Sequence, residues 1–160
     1  MILGMSVFTF VHVLISLVGI GTGLVVLYGL LTSRRLPAWT AAFLATTVLT
    51  SVTGFGFVRP HLLPSHIVGI VSLVLLAAAI FALYVRRLGG VWRLVYVIGA
   101  VASLYLNVFV LIVQSFQKVA PLHALAPTGS ELPFKLVQGA ALLVFIALGV
   151  LAARRFHPPA

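Results

Sequence analysis

Five stretches of this chain contain no Asp, Glu, Lys or Arg: 1–33, 36–58, 60–85, 94–117 and 136–153. Each approaches or exceeds the roughly 18 to 20 residues that carry a helix across a hydrocarbon core. A backbone crossing lipid must satisfy its own N–H and C=O groups, so apolar runs of this length are constrained to become helices. The expectation is an all-α transmembrane bundle, one domain over 1–160, with five helices at about 7–31, 38–57, 65–85, 92–117 and 133–153. Composition agrees. Hydrophobic residues make up 62% of the chain and charged residues 7%, against roughly 25% charged in an ordinary soluble domain. No internal repeat, Gly/Ser linker or low-complexity tract suggests a second domain.

The net charge is +9, yet the basic residues sit in small groups between apolar runs, a distribution that fits topology signals and excludes a nucleic-acid face. Alternating the loops places Arg34, Arg35, Arg86, Arg87, Arg93, Arg154 and Arg155 on one side and Arg59, Lys118 and Lys135 on the other. The positive-inside rule makes the first group cytoplasmic, with the N-terminus outside and the C-terminus inside. A cleaved signal peptide is not expected, because 1–6 lacks a basic segment and the arginines follow the first apolar run. With no cysteine, thiolate metal sites and iron–sulfur clusters are excluded. Tyr28, Trp39, Tyr84, Trp92 and Tyr96 form an aromatic belt at the inner interface, and Phe8, Phe55, Phe57, Phe116 and Phe134 one at the outer.

The chemistry-bearing residues gather toward the outer side. Ser103, Asn107, Gln114 and Lys118 follow one another at steps of four, seven and four, one polar stripe on a helix. Asn107 is the deepest amide and must face the bundle interior, since an unpaired amide in hydrocarbon costs several kcal/mol. On the first helix, Thr9, His12, Ser16, Gly19 and Gly23 share a narrow face, with His12 roughly 9 Å in. The Gly19/Gly23 pair permits close helix approach and offers a route to a homo-oligomer or a larger membrane complex. The second helix carries Thr46, Thr50 and Thr53 on one line, with Thr47, Ser51 and Gly54 beside them, hydroxyls that bond back to the preceding turn. His61 reads as a loop residue, and Ser65 as a cap that leaves His66 in the first turn of the third helix, where the dipole favours a neutral imidazole. The loop 118–132 is stiffened by Pro121, Pro127 and Pro133 and carries His123. There Thr128 and Glu131, the only acidic residue, match a capping box, and Glu131 stands four residues before Lys135. Gln138 adds an amide near the same level.

The segments RPHLLPSHIVGIVSL and LNVFVLIVQSFQKVAPLHALAP resemble parts of small multi-pass proteins of the bacterial inner membrane, a group with no assigned activity. The resemblance covers about the middle two thirds of the chain. It implies a bacterial inner-membrane location and carries over no functional residue.

These observations lead first to a small-ligand or cofactor-binding bundle. Its outward pocket would be lined by His12, His66, His123, Asn107 and Gln114. The three histidines would hold haem b or a divalent metal, as neutral imidazoles do where thiolates are absent. The alternatives are an accessory or assembly subunit of a larger membrane complex, or a small-solute transporter, for which no broken helix pair or repeat appears. An enzyme is not expected: no carboxylate lies within a span, and no nucleophile-elbow or zinc-protease motif occurs.

Overall fold

Among the described residues of the computed structural model, proline opens four of six α-helices, where its missing N–H costs nothing and its fixed φ suits the first turn. The structure describes residues 6–57 and 64–158; His61 and its turn lie outside them, as does the Ser65 side chain. The helices are α1 (Val7–Leu31), α2 (Pro37–Gly54), α3 (Pro64–Ile80), α4 (Trp92–Lys118), the short α5 (Ala120–Leu125) and α6 (Leu132–Arg155). No strand occurs among the described residues. α3 continues into one π-helical turn, Phe81–Val85. Among the described residues four helices are long and apolar enough to cross a membrane, Val7–Leu31, His66–Val85, Trp92–Lys118 and Leu132–Arg155, and the chain is a membrane protein.

α4 is the central helix. α1, α2, α3 and α6 all touch it, α1 pairs with α2 along its length, and α3 packs beside α2. Small residues set the close approaches. Gly99 lies against α3, where a Cβ would stand 3.0 Å from both Ala79 Cβ and the Leu75 carbonyl. At Gly23 a Cβ would come within 2.6 Å of Leu104 and 2.9 Å of Phe43. The Gly19/Gly23 face is therefore used inside the chain, against α2 and α4.

The apolar core sits at the arginine-rich end, built from Leu30, Phe43, Leu76, Ala79, Val97, Ala100, Leu104 and Phe156, each at most 3% exposed. Phe156 lies beyond α6. Its carbonyl and that of Ala153 accept from Arg93 Nη1 at 2.7 and 2.8 Å, so an arginine of α4 caps the C-terminus of α6. The His157 N–H then donates to Ser33 Oγ at 2.8 Å, tying the tail to the α1–α2 turn. Tyr96, expected at the interface, is 3% exposed and belongs to this core, tilted against Phe156 at 5.9 Å between ring centroids.

Two other expectations change. The loop after α4 forms α5. α6 begins after Glu131, which is its N-cap residue with extended backbone. Pro133 stands in the first turn, and the Glu131 carboxylate reaches back to Thr128 without Thr128 entering the helix.

Candidate functional site

Asn107, Thr47 and Gly19 meet where α1, α2 and α4 are closest. The Asn107 amide donates to Thr47 Oγ1 at 3.3 Å, both residues buried. Gly19 leaves the space, since a Cβ there would stand 3.3 to 3.5 Å from the Thr46 and Thr47 hydroxyls and Asn107 Nδ2. One turn along α4, Ser103 is fully buried and its hydroxyl has no partner among the described residues. Ser51 donates to Ser72 at 3.1 Å between α2 and α3. Gln114 continues the Asn107 face two turns on, half-buried. Gln138 donates to the Phe109 carbonyl at 3.2 Å, joining α6 to α4.

The histidines are dispersed. His12 Nδ1 lies 2.7 Å from Thr53 Oγ1, and the His12 ring meets Phe57 edge-on at 5.0 Å. Thr53 directs its hydroxyl to the Leu49 carbonyl at 2.6 Å, so Nδ1 is the donor to Thr53. His66 is buried, stacked on Phe55 at 5.7 Å. His123 is exposed on α5, which packs on α4. Among the described residues no three His, Asp or Glu side chains are grouped to hold a metal ion. The structure does not bring His12, His66 and His123 together: His12 bonds to α2 from α1, His66 stacks beyond the end of α2 from α3, and His123 stands on a separate helix. The Glu131 carboxylate is likewise engaged, accepting from the Thr128 hydroxyl at 2.7 Å and from the Thr128 and Ser130 N–H groups at 3.0 Å. These bonds, the Thr128 hydroxyl first, hold its pKa down at about 2.

The arginine-rich end carries a cavity of about 230 Å³ lined by Arg34, Arg35, Thr40, Tyr84, Tyr96 and Phe156, with Val26, Leu30 and Leu83 as apolar wall. Thr40 of α2 and Tyr96 of α4 bring their hydroxyl groups to the same wall as Arg35 and Tyr84. Special backbone shapes this wall. Ser33 has φ 56°, and the following Arg34 N–H closes α1 on the Gly29 carbonyl at 2.8 Å. Arg87 and Leu88 have φ 48° and 61°, left-handed conformations costing about 1 to 2 kcal/mol each for side-chain-bearing residues. Leu88 is thereby turned inward, 8% exposed, with its N–H on the Ala82 carbonyl at 3.0 Å. The π-helical turn that precedes it supplies Leu83 and Tyr84. Strained backbone and π-helical turns both concentrate at functional sites.

Not every arginine at this end is available to a ligand. Arg93 holds the α6 C-terminus, and the Arg86 guanidinium lies 5.3 Å from the Trp92 ring centroid. Arg34 and Arg35 remain on the cavity wall, beside an α2 N-terminus whose cap residue Leu36 provides no side-chain bond. Guanidinium groups, hydroxyls and an uncapped helix start together favour an anion. Sequence reasoning misses this site because it reads the Arg34/Arg35 pair as topology signals alone. The pair's position immediately before Pro37, a helix start, is the usable clue. Comparison with family models, curated proteins and solved structures finds no match to the chain.

Proposed function

We propose that this is a five-span protein of the bacterial inner membrane, N-terminus outside and C-terminus cytoplasmic, that binds a small anionic ligand at its arginine-rich end. The observation that carries the binding reading is the cavity that gathers Arg34, Arg35, Thr40, Tyr84 and Tyr96 in a chain whose single acidic side chain, Glu131, is engaged by Thr128 and Ser130 in the turn before α6. This moves the ligand from the histidine-bearing end to the opposite one. The dispersed imidazoles, with partners at His12 and His66, act in packing.

The fifth span is α2. Its 18 residues reach about 27 Å, close to the thickness of roughly 30 Å that a span must cover. Its five threonines dilute its hydropathy, but Thr46, Thr50 and Thr53 donate to carbonyls one turn back, at 2.7, 2.8 and 2.6 Å. Hydroxyls satisfied within their own helix remove much of the cost of placing them in lipid. Seven arginines on one side orient the bundle.

Two measurements test this reading. A reporter fused after Ala160 should be cytoplasmic and one fused ahead of the first helix external; both on one side would require an even number of spans. Thermal unfolding in neutral detergent, run with soluble and lipidic anions, should show a rise in midpoint for wild type that Arg34→Gln/Arg35→Gln loses. A rise of equal size in the double variant would remove the cavity as the site.

A further inference from the structure

We infer that the anion seated in this cavity is the phosphate of an anionic membrane lipid from the surrounding leaflet, an inference that rests on the binding reading above. The wall is two-sided in chemistry. Arg34, Arg35, Thr40 and Tyr96 present charge and hydroxyls, whereas Val26, Leu30 and Leu83 present hydrocarbon. A soluble anion has no use for the second set; a lipid headgroup with the start of its chains uses both.

Size points the same way. At about 230 Å³ the cavity is smaller than the roughly 300 to 1,000 Å³ of sites that enclose an entire ligand. It has room for a phosphate and its glycerol, with the chains left outside along the bundle. Trp39 and Tyr84, 49% and 56% exposed, flank this end, and amphipathic aromatics at such positions mark the headgroup level. The cavity therefore stands where lipid phosphates are already concentrated.

Charge supplies the third reason. Arg34, Arg35, Arg86, Arg87, Arg93, Arg154 and Arg155 crowd one end, and the chain's one carboxylate is held by Thr128 and Ser130 at the other. Counter-charge must come from outside the chain, and anionic lipid provides it for juxtamembrane arginines. What separates a seated lipid from a diffuse cloud is the pre-formed wall: a helix start without a side-chain cap, and the hydroxyl-bearing side chains Thr40 of α2 and Tyr96 of α4 on one cavity.

Native mass spectrometry and thermal unfolding of the full chain in neutral detergent test this, with dioctanoyl phosphatidylglycerol as the lipid probe and inorganic phosphate and glycerol 3-phosphate as soluble ones. One lipid should bind per chain and raise the unfolding midpoint. Affinity should fall at least about tenfold in Arg34→Gln/Arg35→Gln, because charge-assisted bonds are lost, and should hold in Arg154→Gln, outside the cavity. On wild type, the soluble phosphates at matched concentration should not displace the lipid, a readout independent of variant folding. If they bind through Arg34 and Arg35 as well as the lipid does, the ligand is a soluble anion: the lipid assignment fails and the anion reading survives. Equal loss in Arg154→Gln would mean diffuse charge and overturn the seated lipid. Indifference of every probe to Arg34 and Arg35 would overturn both.

Discussion

Asn107 holds α4 to α2 through a single buried amide bond to Thr47. A deep amide on a stripe of apolar helix has to point inward, but Thr47, to which it donates, is 60 residues earlier in the chain. His12 and Thr53, 41 residues apart, show the same limit. The exposure a residue must avoid follows from local pattern, and the atom that meets it depends on helix registry. Asn107→Leu should destabilise the bundle by about 1 to 3 kcal/mol, read as a lowered unfolding midpoint in detergent; a raised midpoint would mean that the amide faces lipid. Glu131 gives a separate residue-scale test. Its folded pKa, about 2, lies below the ordinary value of 4.5, so its contribution to the turn before α6 is complete above about pH 4.5 and lost as pH falls through about 2. A carboxyl-resolved NMR titration should show that midpoint, and Thr128→Ala, which removes the first of its bonds, should move it upward.

At the scale of the helix, charge-free windows located all five long segments, and α1 and α4 start and end within a residue of expectation. α2 stops at Gly54, short of Phe57, because the glycine and the turn after it end the helix before the apolar run ends. α5 was hidden by Pro121, which reads as a loop signal and is also at home in a first helical turn. The left-handed residues after α3 were hidden in a different way. Gly89 and Gly90 invite that conformation, yet apart from Gly90 it falls on Arg87 and Leu88. The gain is burial of Leu88, a tertiary term that no local preference contains. Since Leu88, Tyr84 and Phe156 wall the cavity, its shape could not be derived from the segments that compose it.

Across the whole molecule, the two ends divide the work. The histidine-bearing end is joined by hydroxyl, amide and aromatic contacts between helices, and the arginine-rich end holds both the core and the cavity. The tail beyond α6 closes that second end. Arg154 and Arg155 read from sequence as topology signals alone, yet the Phe156 that follows them is 2% exposed against Tyr96 and its carbonyl is gripped by Arg93 at 2.7 Å. Phe156→Ala should therefore behave as a core truncation, costing about 3 to 5 kcal/mol, where a frayed residue would cost nothing measurable. Arg93→Met tests the other half of the clamp: it keeps much of the apolar stem and leaves the Ala153 and Phe156 carbonyls without their donor. Because the ring and the guanidinium hold the same segment, the double variant should lose less than the two single losses added, a coupling of at least about 0.5 kcal/mol in thermal unfolding. Strict additivity would mean that the Phe156 ring stays seated without Arg93, and that the tail is fixed by hydrophobic burial alone.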